Sequence, residues 1–408
     1  MSKTLERFEK AIDRVNKKLK PHVYDSGNLN EKVKKVTVII TGSRSGSSLM
    51  KTMLSKSDNV AYLSGEEEPY YFLTKNAFPW NDSDKFTDIK DKQYLLDLIF
   101  SDLGINIDYI DINRTIYDWE KRALYQFPEM SDSAHENIRK EVIKAFAYSY
   151  DYEKATKDFI NNFKSLENGY YDLFHDDAIQ FQEDIKLEET PFVVPSKKRS
   201  FTAKDAEDTT IIFKTPQDCY REGLFEELFP NAEIKYLHLT RGFAQTVNGL
   251  IDGWLYPSGF YAHNMDHVDI KINIKGYSDT VDWGRNWWNF DLPPGWEDWK
   301  NEPLEIVCLY QWYAAHSYNL RRKDKNYKQF KFEEFLKSPQ QEMDSVCEFV
   351  GIPNITVKSL PVSMSSCTPG LARWRNKREK LIMEISTKDV VQDLMDKLGY
   401  TMDPTDWI

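Results

Sequence analysis

The sequence predicts a three-layer α/β fold with a central, mainly parallel sheet, and three observations carry that expectation. The stretch Val36–Met53 runs an apolar strand into a Gly/Ser turn and then into an amphipathic helix. Two later strands, Thr209–Phe213 and Ile234–Leu239, repeat the pattern, ending at the cations Lys214 and Arg241 before helical stretches. At 408 residues and 41% hydrophobic content the chain can bury a full core. The expected division is an N-terminal helix and linker over 1–35 and one large domain over 36–408, with insertions at about 81–200 and 254–303.

In chain order, Leu5, Phe8, Ile12, Val15 and Leu19 recur at helical spacing, an amphipathic helix that ends near Pro21 and packs on the domain. Val36, Val38, Ile39 and Ile40 suit a strand buried on both faces. Gly42 and Gly46 permit a sharp turn, and Ser47 opens a helix whose Leu49, Met50, Met53 and Leu54 share one face. Such a strand, turn and helix N-terminus form a site for an anion. A nucleoside-triphosphate P-loop is excluded, because Gly42 and Gly46 are four apart and Ser47 stands where the lysine belongs. The positive charge lies inside the turn instead, at Arg44, among the hydroxyls of Ser45, Ser47 and Ser48.

The segment SRSGSSLMKTML resembles the 5′-phosphosulfate loop of sulfotransferases that use 3′-phosphoadenosine 5′-phosphosulfate, most nearly the tyrosylprotein and bacterial members. The resemblance runs in order from Val36 to about Tyr400, with both long insertions unmatched, and it implies a P-loop-like sulfotransferase fold. It also implies roles for residues further on. Val60–Phe72 is a short strand leading into three glutamates, which beside an anion loop need a task. If the segment stays extended, Glu66 and Glu68 share a face. Alignment to the tyrosine enzymes puts the general base at Glu66; alignment to the heparan type puts it at Glu68.

Residues 81–190 read as an acidic, aromatic helical insertion, with patches at Tyr94, Leu95, Leu98 and Ile99 and at Ile143, Phe146 and Ala147. His135 and His175 stand isolated. Pro191, Pro195 and the basic SKKRS mark a loop before the sheet resumes. Lys214 ends the next strand where parallel sheets bind ligands, and the resemblance sets it near the bridging oxygen of the cofactor. Arg241 matches the family's 3′-phosphate arginine. Eight residues on, however, the expected serine is Gly249, and only the Asn248 amide is at hand as a substitute.

Five of the eleven tryptophans crowd into Trp283–Trp299, dense enough for a lid or acceptor wall, or for an insertion packed on itself. His263 and His267 are four apart but have no third metal ligand in register. Leu304–Leu320 reads as a buried helix on which His316 is a satisfied core histidine. Phe332 takes the place of the adenine-contacting tyrosine of the resembled family. Arg373, Trp374 and Arg375 match its basic closing loop over the 3′-phosphate, and Leu398-Gly399-Tyr400 reads as a helix stop.

A net charge of −11 disfavours nucleic acid. Four cysteines without a CxxC pair point to reduced thiols and a cytoplasmic protein. No apolar run is long enough for a membrane span, and the N-terminus is too charged for a secretory signal. The expected activity is sulfuryl transfer from 3′-phosphoadenosine 5′-phosphosulfate to the hydroxyl of a small alcohol or phenol, without a metal. Arg44, Ser45, Gly46, Ser47 and Ser48 would hold the 5′-phosphate and Lys214 would stabilise the leaving oxygen. Arg241, Asn248 or Gly249 and the C-terminal arginines would hold the 3′-phosphate, with Phe332 at the adenine. Two other classes share parts of the pattern. A kinase-like enzyme should carry a loop lysine and magnesium carboxylates, whereas a cofactor-binding protein without catalysis would accommodate Gly249 and Phe332.

Overall fold

The computed structural model describes residues 2–128, 131–149, 151, 154–155, 158, 187–188, 197–257, 259–322, 325–361 and 370–408. Among the described residues, seven strands form one sheet: β1 (Lys35–Ile40), β2 (Val60–Tyr62), β3 (Gly104–Asn106), β4 (Lys198–Ser200), β5 (Thr210–Phe213), β6 (Glu233–Thr240) and β9 (Tyr327–Lys331). Their order is β4-β3-β2-β5-β1-β6-β9. The five from β2 to β9 run parallel, and β3 and β4 add an antiparallel edge. A two-residue pair, β7 (His263–Asn264) and β8 (Trp287–Trp288), lies apart from it. The expected mixed α/β class is thus the one observed.

Alternation along the strands sorts side chains into two cores. Val36, Val38 and Ile40 of β1, with Ile211, Phe213 and Ile234, face a layer containing the helices Lys3–Lys18, Lys92–Asp102 and Leu224–Leu228. Ile39, Ile212, Leu237 and Leu239 face the helices Ser47–Leu54 and Pro339–Val350. The N-terminal helix packs as expected, burying Phe8, Ala11, Ile12 and Val15, with Ser2 accepting from the Leu5 amide at its N-cap. A third core joins helices Phe243–Trp254, Leu304–Asn319 and Asp389–Lys397 to the tryptophan-rich stretch. Trp254, Trp288, Trp296, Trp312 and Trp374 are fully buried in it, so the tryptophan-rich stretch packs into a core shared with those helices.

The first insertion departs from its expected pattern. Leu95, Leu98 and Ile99 are buried, but Ile143 and Ala147 are exposed while Ile138 and Val142 face inward. The basic SKKRS is no loop where it is described: Lys198–Ser200 is β4, and Lys198 is buried. His175, Pro191 and Pro195 lie outside the described residues. Cys219, Cys308 and Cys347 are buried free thiols. Among the described residues, no helix is long and apolar enough to cross a membrane.

Helix Ile112–Gln126 buries charges on its inner face. Asp102, fully buried, accepts from Lys121, from Arg122 at 3.0 Å, from Lys198 at 3.3 Å and from the Ser64 hydroxyl at 2.9 Å, with Arg114 at 3.4 Å. Burial alone would raise its pKa; the four cations, Lys121 foremost, overcome that and hold it well below the usual carboxylate range. Asp118 and Glu188 complete the cluster. A Cβ on Gly65 would meet Arg122 Nη1 and Glu188 Oε1 at 2.5 Å, so the cluster backs directly onto the turn that carries the three glutamates. Removing the central anion strands buried cations. Asp102→Asn is expected to cost about 3–5 kcal/mol in urea unfolding, and a loss below about 1 kcal/mol would show that the cluster is not electrostatically tight.

Candidate functional site

The parallel order sets β1 between β5 and β6, so the segments leaving these three strands gather at one sheet edge. After β1, the chain turns through Arg44 and Gly46, both left-handed at φ 67° and 90°, into helix Ser47–Leu54. Glycine is required at 46 twice over, by its backbone angle and by space: a Cβ there would lie 2.3 Å from the Phe332 ring. Ser45 is fully buried, and its hydroxyl has no partner among the described residues.

Arg241 reaches across from β6. Its Nη1 donates to the Arg44 carbonyl at 2.9 Å and its guanidinium lies 5.0 Å from the Phe332 ring centroid, while its buried Nε has no partner among the described residues. Burial lowers its pKa; Glu333 pulls it back, and Arg44 and Arg373 push it further down. Phe332 thus packs on Gly46 and Arg241, beside the loop.

The helix Phe243–Trp254 forms one wall. Gly249 faces the loop, where a Cβ would sit 3.4 Å from Arg44 Cβ. On the same helix face, Gln245 and Asn248 bury side-chain amide nitrogens without partners among the described residues. Asn248 Oδ1 accepts from Arg378 at 2.6 Å, and Asp252 accepts from Arg373 at 2.5 Å, Arg378 at 2.8 Å and Lys377 at 3.1 Å. Of the C-terminal trio expected here, only Arg373 arrives. Trp374 is core, donating to the Trp407 carbonyl at 3.0 Å, and Arg375 turns to the Pro404 carbonyl and the Trp374 ring. Arg378 is the cation that sequence reasoning missed. It interrupts its helix at φ −146°, a break that sequence periodicity does not reveal.

The three glutamates diverge because Glu68 already begins a helix, Glu68–Leu73, so the extended register that would put Glu66 and Glu68 on one face does not form. Glu66 is partly exposed; it pairs with Lys214 Nζ and accepts from the Thr215 hydroxyl at 3.3 Å. Lys214 Nζ also lies 3.3 Å from Ser48 Oγ, which ties the β5 end to the loop helix. Glu67 is wholly buried and accepts from the Lys214 amide at 2.7 Å. Burial lifts its pKa to about 7 against the pull of Lys51, with Glu66 adding to the rise. Glu68 is held by Arg221 at 2.6 Å, and that arginine in turn stacks 4.1 Å from the Tyr71 ring centroid. Of the two candidate bases, Glu66 is the one at the loop.

The tryptophan-rich lobe enters the site through Asp291, which sequence reasoning also missed. Its carboxylate accepts from Ser43 Oγ and from the Tyr220 hydroxyl, both at 2.8 Å, while Gln311 donates to its carbonyl at 2.7 Å. His263 bonds Asp84 at 2.9 Å and His267 stacks on Phe8; both hold the lobe rather than the site. His135 lines a surface groove with Lys17, Lys18 and Arg139, and no loop residue lines it.

Burial raises the Asp291 pKa from its ordinary 3.8 to about 6, against the hydrogen bonds from Ser43 and Tyr220. A carboxyl whose folded pKa exceeds its unfolded one favours the folded state below about pH 4 and loses that contribution as pH rises through about 6. Asp291→Asn, measured by urea unfolding, should therefore gain up to about 3 kcal/mol relative to the parent protein between pH 4 and pH 7. A difference that does not change with pH would contradict the assignment.

No family model matches the sequence, and no curated protein matches it. Two solved structures are similar to this chain. The sulfotransferase domain from the curacin biosynthetic pathway covers 90% of this chain and 98% of its own at 13% identity, with a TM-score of 0.37. The sulfotransferase domain from the Synechococcus PCC 7002 olefin synthase covers 96% and 94% at 11% identity, with a TM-score of 0.30. Residue roles in this chain rest on its own contacts.

Proposed function

We propose that the protein is a sulfotransferase that takes a sulfuryl group from 3′-phosphoadenosine 5′-phosphosulfate to the hydroxyl of a small alcohol or phenol. The observation that carries this reading is the convergence of Arg44, Lys214 and Arg241, from three separate strand ends, around one helix N-terminus. Among the described residues, the buried groups without partners in that neighbourhood include Ser45 Oγ, Arg241 Nε, Gln245 Nε2 and Asn248 Nδ2. All four can donate, which suits an anion with phosphates at both ends of a ribose.

In this reading the loop, Arg44 and the hydroxyls of Ser45, Ser47 and Ser48 hold the 5′-phosphate. Arg241, Asn248, Arg373 and Arg378 hold the 3′-phosphate, the last doing so in place of Trp374 and Arg375. Gly249 leaves room for Arg44 where the resembled family has a serine. Phe332 borders the adenine side. When bound, the cofactor supplies an activated sulfuryl group. Lys214 offsets charge on the departing oxygen. Glu66 receives the proton of the acceptor hydroxyl; it must first part from Lys214, which an anion entering the loop promotes by competing for the ammonium.

Adenosine 3′,5′-bisphosphate should raise the melting temperature with concentration, by about 2.7 kcal/mol of stabilisation at a hundred times its Kd. Arg44→Asn, which tolerates the left-handed backbone, should abolish that shift. Glu66→Gln should keep the shift and lower transfer of labelled sulfate about 10²- to 10⁴-fold. Stabilisation by ATP without any by the bisphosphate would refute the cofactor assignment, and a labelled product of polymer size would refute the small acceptor.

A further inference from the structure

His316 is fully buried on the helix Leu304–Asn319, yet it is not the satisfied core histidine that the sequence suggests. Its Nδ1 lies 2.9 Å from His238 Nε2, and the other nitrogen of His238 meets the Tyr327 hydroxyl. His316 Nε2 has no partner among the described residues. That nitrogen points at the phosphate loop. A Cβ built on Gly42 would lie 3.6 Å from it and 3.8 Å from Ser45 Oγ, the unpartnered hydroxyl on the loop floor. Gly42 therefore leaves a small cradle between two orphaned polar groups. Three elements, β6, β9 and the Leu304–Asn319 helix, combine to aim one imidazole nitrogen at it.

We propose that Tyr327, His238 and His316 form a buried donor relay that presents His316 Nε2–H to the 5′-phosphate on the floor of the loop, an inference that rests on the cofactor reading above. Tyr327 donates to His238 Nδ1, His238 Nε2–H donates to His316 Nδ1, and the ring hydrogen left to His316 is then on Nε2. No other direction gives the anion a proton to meet: the reverse relay turns a lone pair toward it. Neither ring needs to be charged. Burial depresses the pKa of His316 to about 3, and that of His238 well below its ordinary value, with His316 and Arg322 adding to the latter. The relay is thus a neutral donor beneath a loop whose other side carries Arg44. His316 is a binding residue, and His238 and Tyr327 position it.

The test compares two probes, adenosine 3′,5′-bisphosphate and adenosine 3′-monophosphate, which lacks the 5′-phosphate. His316→Phe should weaken the bisphosphate about tenfold and leave the monophosphate unchanged, and His316→Gln, which retains a donor at its end, should recover most of the loss. Gly42→Ala meets only ordinary contacts, 3.4 Å or more from its neighbours, so it folds but fills the cradle and should reproduce the selective loss. In ¹⁵N spectra of the parent protein, His316 Nε2 should be the protonated nitrogen, and Tyr327→Phe should mix the tautomers. Equal weakening of both probes, or an unprotonated Nε2, would overturn the relay. Failure of the parent protein to bind the bisphosphate would instead overturn the cofactor reading, while the ring-nitrogen spectrum would still decide the relay's direction.

Discussion

The site depends on one topological constraint: β1 is flanked on both sides by parallel neighbours, β5 and β6, in fixed register. Val38 pairs with Phe213 and Ile40 with His238, so the three chains leave the sheet within a few residues of one another. Because all three run the same way, their carboxyl ends share an edge, and the residues that come next must meet there. Lys214 and Arg241 need no long reach; the loop of β1 is simply between them. The helix Ser47–Leu54 then adds its dipole to charges that the sheet has already assembled.

Around this edge the protein buries many ionisable groups, and it does so in compensated sets. Asp102 sits among four cations, Glu68 and Asp218 share Arg221, and Asp252 gathers three basic side chains from the helix Arg373–Ser386. Each set lies behind or beside an element of the site: the first under Gly65, the second beneath the glutamate turn, the third along the wall opposite Arg44. Charges buried in this way cost desolvation but fix geometry through many directional contacts. The loop differs from these sets in what it leaves open, because Ser45 Oγ, Arg241 Nε and Asn248 Nδ2 around it are buried without partners among the described residues.

Much of this was legible in the sequence, and the part that was not has a physical reason. Strands of β-branched residues ending in Gly/Ser, Lys214 or Arg241 announce themselves locally, because a strand buried on both faces needs nothing from afar. The buried charge cluster on helix Ile112–Gln126 was not legible, because nothing within the helix tells that Arg114, Asp118, Lys121 and Arg122 gather around or beside the distant Asp102. Arg378 hid behind Arg373 and Arg375, since a kink decides which arginine reaches Asn248. Asp291 and His316 are set by contacts between segments hundreds of residues apart, Ser43 with Asp291 and Gly42 with His316. No spacing rule within one segment can anticipate those meetings. The divergence of Glu66 and Glu68 comes from Pro69 at the first turn of a helix, a local signal that an extended register leaves out of account.

The outer strands bear on how the molecule behaves in company. β4 is three residues long and carries Lys198 and Arg199; β9 is five and carries Lys328 and Lys331. Short, cationic borders are poor templates for recruiting another strand. Among the described residues the sheet thus ends on borders that disfavour edge-to-edge pairing, which guards a β-rich centre against aggregation while the chain is crowded or freshly made.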